Sequence, residues 1–579
     1  MIQRLIRALL DLPPRRCPSW LERLWLPMPD GVRLATIHLW PVGLATAPVV
    51  VMRTPYGMTR FPRPLIGLGR LLCESGYHVV LQDVRGRHES EGQFRPFADE
   101  GRDGRALLGW VADQSWCDGR IGLIGVGYLA HAAWAALAED PDRVRALVIG
   151  LGASDPYATF YSGGAFSLAT ALQWGVGIGD REQVPQREID LERGLAYRPS
   201  READRVALRQ VDWYRDWVDH PRRDAFWDAL RPALPPAPPP TLLLAGWYDI
   251  FLEAQLADHR ALLDASRASG TAPPRLLIGP WSHGRMGHPS WGRRRRRLIG
   301  VAIRETLAFL DRQLRDADPS TDAADAGQRD AVRFYVIGAD RWRDETSWPI
   351  SGSTPRALYL RSSESTRSDR GDGALSWQPP PESEPPDRFT HEPDRPVPSL
   401  GGALLGKAGG AFDQRPVEGR PDVLCYTSAA LEEKIEIAGA VRLVLHAAST
   451  AEDADFTAKL VDVAPDGTAL NLCDGIARQR WSGQADDALQ PSWLNPGEPA
   501  RIEIELWATA CVFRQGHRIR IEVSSSNFPR FDRNPQTRED PATAAAAAGC
   551  RAEQTVFHDA GRPSHVLLPV VPNASGPEA

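Results

Sequence analysis

Hydrophobic and polar positions along the chain change rhythm several times. Over residues 20–150, short apolar runs alternate with stretches of helical spacing. Residues 49–52, 79–82, 120–125 and 146–150 are apolar or β-branched runs of strand length, and residues 65–74, 102–111 and 129–139 read as helices between them. Such strand–helix–strand alternation predicts a parallel sheet covered on both faces. Residues 155–240 break the pattern. This stretch is rich in Arg, Asp and Trp, has helical spacing at 165–174 and 211–230, and ends in the proline-rich run 235–240. We read it as a helical insertion closing over a site; a separate small domain is the alternative. Alternation resumes at 241–245 and 275–279, each followed by a helical segment. Beyond 332–337 a polar, Pro- and Gly-rich stretch at 364–410 reads as a linker. Period-2 runs then follow at 441–446, 458–463, 502–506 and 518–523, which predict a β-sandwich or jelly roll. The Ala-rich patch 544–548 reads as a loop or short helix.

The 579 residues exceed what one core organises. The expected units are an α/β domain in two parts (1–154 and 241–352), a helical cap (155–240) and a β-rich C-terminal domain (353–579). A net charge of −6 gives no reason to expect nucleic acid or an anionic membrane as partner. The run Arg293 to Arg297 reads as a solvated helix start. Seven cysteines are scattered and never spaced C-x-x-C, which argues against a disulfide framework or structural zinc and fits a reducing compartment. Arg7 and Asp11 interrupt the first apolar stretch, so an amphipathic first helix is expected rather than a signal peptide. No run approaches about 18 uninterrupted apolar residues. A cytoplasmic protein without membrane spans, metal or cofactor is the expectation; no H-E-x-x-H or His/Cys cluster has ligand spacing.

Three short motifs follow the ends of strands, where open α/β sheets place their sites. Gly125-Val126-Gly127-Tyr128-Leu129-Ala130 lies between a strand and a helix, the context of a G-x-S-x-G nucleophile elbow. Its central residue is Gly127, which has no side chain to attack with. Gly246-Trp247-Tyr248-Asp249 and Gly279-Pro280-Trp281-Ser282-His283 follow the strands ending at 245 and 278. Elbow, acid and histidine therefore come in the order of an α/β-hydrolase triad, where the carboxylate fixes the imidazole tautomer and the imidazole moves the proton. The elbow also matches the dinucleotide fingerprint G-x-G-x-x-A. That reading needs a first βαβ unit and an acid ending the next strand. Here some 120 residues precede the motif and the next strand ends in glycine, so it is set aside.

Further segments extend the pattern: Arg53-Thr54-Pro55-Tyr56, Gln82-Asp83-Val84-Arg85-Gly86, Ser90-Glu91-Gly92 and Trp116-Cys117-Asp118-Gly119. The C-terminal half adds residues 422–428, 455–463 and 522–534, the last reading EVSSSNFPRFDRN. With these, the chain resembles the cocaine esterase and X-prolyl dipeptidyl peptidase family of serine hydrolases over nearly its full length. The resemblance implies an α/β-hydrolase domain with an inserted helical cap, an all-β jelly-roll C-terminal domain, and ester or amide cleavage of a small acyl substrate through an acyl-enzyme. It implies Asp249 and His283 as triad members and Tyr56 as oxyanion-stabilising tyrosine. It also implies the backbone N–H of Tyr128 as second oxyanion donor, and Phe251, Trp281 and the cap as the acyl pocket. Family members often self-associate, so a homo-oligomer is compatible with it.

Two elbow positions depart from the family: Gly127 where the nucleophile stands, and Ala130 where a glycine closes the motif. Three readings of Gly127 stay open. The Asp–His pair can act as general base on water or a substrate hydroxyl, driving hydrolysis, elimination or cyclisation at a carbonyl compound. The protein can be a pseudoenzyme that binds a ligand or partner. Or the chain is a variant of a serine enzyme. Structural alternatives accompany each residue: a helix cap for Asp249, a loop histidine for His283, a core tyrosine for Tyr56. His131, His259 and His288 lack motif context and read as structural or exposed. Ser90 and Ser282 sit on no elbow, and Cys117 reads as a small buried thiol.

Overall fold

The structure is a computed structural model that describes residues 7–8, 10–59, 65–182, 184–284, 294–315, 331–363 and 373–572. Ten strands form the first sheet: β1 (Ser19–Pro27), β2 (Arg33–Pro41), β3 (Ala47–Thr54), β4 (His78–Asp83), β5 (Cys117–Val126), β6 (Val144–Gly150), β7 (Thr241–Tyr248), β8 (Arg275–Ser282), β9 (Val332–Val336) and β10 (Arg341–Glu345). Their order is β1-β2-β4-β3-β5-β6-β7-β8-β9-β10. From β4 to β9 all neighbours are parallel; the flanking pairs, including the β1–β2 hairpin that the apolar pattern did not single out, are antiparallel.

Period-2 alternation sends each strand's side chains into two separate cores. Val49 and Val51 of β3, Leu147 and Ile149 of β6, and Leu243 and Ala245 of β7 pack on one face with α2 (Glu100–Ala112) and α3 (Tyr128–Glu139). Val50 and Met52, Ala146 and Val148, and Leu242 and Leu244 pack on the other with α1 (Leu65–Cys73). The helix α5 (Leu252–Ser269) joins the first face, and α6 (Arg294–Leu314) the second. This second helix opens within the arginine run, as its charge pattern suggests. The expected amphipathic helix at the N-terminus lies largely outside the described residues.

Between β6 and β7 the chain leaves the sheet for a helical segment with its own aromatic core, including Phe160, Tyr214, Trp217 and Trp227. The single helix expected over 165–174 is α4 (Leu168–Gly177), preceded by a two-stranded hairpin at Tyr161–Ser162 and Ala165–Phe166. The stretch 211–230 is two helices, Asp212–Asp219 and Ala225–Leu230. Pro221 lies in the break, and the Asp224 carboxylate caps the second helix by accepting from the N–H groups of Phe226 and Trp227.

An eleven-stranded, mostly antiparallel sheet occupies residues 354–570, built around the long pair Ile435–Ser449 and Ala500–Phe513. The stretch read as a linker is a correction. Residues 364–372 lie outside the described residues, but Ala374–Ser376 and Asp387–His391 are strands of this sheet. Phe389 and Leu375 enter its core, so the polar composition hid short strands that each give one apolar side chain to it. The patch at 544–548 holds one short turn, Ala546–Ala548. The two sheets meet tightly. Ile337 exchanges backbone hydrogen bonds with Ala510 and Val512, and Glu253 on α5 accepts from the Ala508 N–H at 2.8 Å.

Candidate active site

Strand β5 ends at Val126, the chain turns at Gly127, and α3 starts at Tyr128. Gly127 has φ +61° and ψ −127°, a conformation that L side chains rarely adopt. The turn is close-packed. A Cβ at Gly125 would meet the Leu129 carbonyl carbon at 2.4 Å, and one at Gly152 would meet Ala130 Cβ at 2.4 Å. Gly152 thus makes room for the alanine that closes this elbow. The N–H of Tyr128 belongs to the first turn of α3, where a helix has no carbonyl four residues back to bond it.

His283 follows β8 and Asp249 follows β7, neighbouring parallel strands. The imidazole Nδ1 lies 3.1 Å from Asp249 Oδ2, while Oδ1 accepts from the Phe251 N–H at 3.0 Å. Asp249 is buried and His283 is partly exposed. An ionised carboxylate only accepts, so Nδ1 carries the proton and Nε2 presents its lone pair. That lone pair faces the elbow. A Cβ built on Gly127 would stand 3.2 Å from His283 Cε1 and 3.3 Å from Nε2, and among the described residues no other heavy atom beyond its chain neighbours lies within 4 Å of that point.

A cavity of about 50 Å³ opens over this point. Tyr56, Gly127, Tyr128, Phe251 and His283 all line it. The Trp174 indole N–H donates to Tyr56 Oη at 2.9 Å, so the phenol oxygen accepts from the inserted segment. The Phe251 ring meets His283 edge-on at 5.3 Å. Trp281 is elsewhere, a correction to the expected pocket. It is a residue of β8 facing the second core, 6.1 Å from Trp342, in space left by Gly246 and Gly279, where a Cβ would collide with it.

Sequence reasoning missed Phe97 and Leu405 and named the inserted segment without its Phe160 and Trp174; all four also line the cavity. They come from a loop, the helical segment and the C-terminal half, brought together only by the fold. His131, read as structural or exposed, is buried and lines the cavity too. Burial pushes its imidazole down to about 4. Its position one helical turn beyond Gly127 is the signal that would have found it. Leu405 belongs to a loop of the C-terminal half in which the Gly406 N–H donates to the His283 carbonyl at 2.8 Å. Ser90 is committed to the Asp83 carbonyl and the Ala35 N–H, Ser282 is buried, and Cys117 is half-buried; His288 lies outside the described residues. Among the described residues, no helix is long and apolar enough to cross a membrane, and no group of three His, Cys, Asp or Glu could hold a metal.

This is an α/β-hydrolase with a separate β-rich C-terminal domain. Residues 30–285 match the model of the X-Pro dipeptidyl-peptidase (S15) family, and residues 316–567 match that of the X-Pro dipeptidyl-peptidase C-terminal non-catalytic domain. The chain is 36% identical to the cocaine esterase of Rhodococcus sp. (strain MB1 Bresler), over 96% of this chain and 99% of that one. The solved structure of an α-amino acid ester hydrolase superposes with a TM-score of 0.80 at 26% identity, covering 96% of this chain and 98% of that one. An aminopeptidase from the marine sediment archaeon Thaumarchaeota archaeon shares the fold, with a TM-score of 0.80 at 24% identity over 97% and 99%. The chain belongs to the S15 family, a serine-hydrolase family of esterase- and peptidase-like proteins.

Proposed function

We propose that this protein is a serine-hydrolase relative that has exchanged its nucleophile for glycine and performs general-base chemistry on a small carbonyl substrate, hydrolysis first among the options. The observation that carries this reading is the space beside Gly127. A Cβ there would stand 3.2–3.3 Å from the His283 ring; with glycine in its place, Nε2 faces the cavity over Gly127 rather than an elbow side chain. The site therefore suits a water where the family holds a serine side chain.

In the proposed reaction, Nε2 takes a proton from that water as its oxygen attacks the substrate carbonyl. The Tyr56 O–H and the Tyr128 N–H receive the developing oxyanion. The intermediate collapses, the C–O or C–N bond breaks, and His283 returns the proton to the leaving group. Asp249 holds the tautomer throughout. Elimination or cyclisation would use the same base without the water. Within this reading the segment 155–240 is a helical cap, the C-terminal domain a jelly roll, and Asp249, His283, Tyr56 and Tyr128 the working residues. The site asks for no metal or cofactor.

General-base assistance is worth about 10²–10⁴ in rate. The test is hydrolysis of a panel of p-nitrophenyl esters by the wild-type chain and by His283→Ala. A fall of that size supports the reading. Equal rates in the two proteins would overturn it, and a protein that only binds its ligand would then be the account to pursue.

A further inference from the structure

Phe97 occupies a left-handed backbone conformation, φ +70°, in which non-glycine residues are strained. Two contacts hold it there. Its N–H donates to Tyr128 Oη at 3.0 Å, and its carbonyl lies 3.4 Å from His131 Nε2. The Tyr128 hydroxyl is itself locked, because it donates to Glu100 Oε1 at 2.6 Å and Glu100 Oε2 lies 2.9 Å from the Arg53 guanidinium. These four groups, Arg53, Glu100, Tyr128 and His131, are buried. The chain thus invests a buried ion pair in fixing one hydroxyl, and that hydroxyl fixes the backbone of Phe97. The ring so placed stacks 5.7 Å from Trp174 and meets Tyr128, His131 and Phe160 at 5.1, 4.8 and 6.4 Å, forming one wall of the cavity over Gly127.

We propose that Phe97 is a specificity-determining residue whose ring, clamped by Tyr128 and Glu100, closes the far end of the cavity and limits the acyl group to a short one. This rests on the reading that the cavity takes the acyl part of the substrate. Trp217, which does not line the cavity, stands against the Phe97 ring with its centroid 6.1 Å away, beside Phe160. Removing the ring therefore joins the cavity to an apolar region suited to a longer chain.

The probes are alkanoyl p-nitroanilides from acetyl to octanoyl, bound to the full-length chain and followed by calorimetry. Wild type is expected to bind the acetyl compound about tenfold more tightly than the hexanoyl, and Phe97→Ala to reverse that order. The same length profile in both proteins would overturn the proposal. No binding to either protein would overturn the acyl-site reading itself, and the proposal with it. The clamp has a separate, ligand-free readout. Glycine suits φ +70° where alanine does not, so Phe97→Gly is expected to unfold at higher urea than Phe97→Ala. The opposite order would overturn the strain on which the clamp depends.

Discussion

Trp174 and Tyr56 are joined across the cavity by a 2.9 Å hydrogen bond whose donor is the indole N–H. One partner comes from the inserted helical segment and the other from the loop after β3, so the inserted segment sets the direction of the phenol. Trp174→Phe keeps an aromatic ring against Phe97, Tyr128 and Trp217 but deletes the donor. Turnover of the best p-nitrophenyl ester is expected to fall about tenfold, while stability changes by about 1 kcal/mol. Steady-state kinetics and a urea melt check the pair of numbers; a large loss of stability would mark Trp174 as packing alone.

Gly127→Ser is expected to regain labelling by a fluorophosphonate, with a stability loss of about 1–3 kcal/mol from placing a side chain at φ +61°. The His283 ring must yield by a few tenths of an ångström to admit the new Cβ. Gly127→Ala carries the same strain with no nucleophile, and its methyl crowds the space in front of His283 Nε2 where the proposed water would sit, so it is expected to be less active than wild type. Active-site labelling and ester hydrolysis of the two variants check this.

Asp249→Asn removes the acceptor that holds the Nδ1 proton and offers an amide in its place. The imidazole can then turn or adopt the other tautomer, which points a hydrogen at the water. Loss of activity of about 10²–10⁴, the full value of the base, is expected with the fold retained. Ester kinetics with circular dichroism measure both.

His259 on α5 is buried, and among the described residues neither ring nitrogen has a hydrogen-bond partner. Burial, with a smaller contribution from Arg260, pushes its pKa down to about 4. The folded state thus binds fewer protons than the unfolded one between about pH 6.5 and 4, and stability drains away as pH falls through that window. His259→Leu removes both the unmet hydrogen bonds and this titration. It is expected to raise the urea midpoint at pH 8 and to raise it further at pH 5; a constant increment at the two values would refute the assignment.

Strand ends made part of this site legible. The two glycine-flanked motifs after β7 and β8 placed Asp249 and His283 beside the elbow because neighbouring parallel strands finish at the same edge of a sheet. Trp281 misled because it is two residues from His283. The strand is irregular between Gly279 and Ser282, the Trp281 ring packs into the second core, and the glycine at 279 makes room for the indole. Phe97, Trp174 and Leu405 were invisible, since each reaches the cavity through contacts distant in sequence that leave no local periodicity. Proline and acidic caps divided the helical pattern at 211–230, and lone apolar residues among prolines concealed the strands at 374–376 and 387–391.

The Gly406 N–H that holds the His283 carbonyl, and the Leu405 side chain beside it, are made long after the residues they serve. During synthesis, every chemical group of the site leaves the ribosome before the wall that steadies it exists. A nascent or truncated chain ending near residue 352 is therefore expected to be chemically silent although it holds Asp249 and His283. Completion of the site then coincides with docking of the C-terminal domain, and a cut that releases the Leu405–Gly406 loop is expected to leave the His283 backbone without that support.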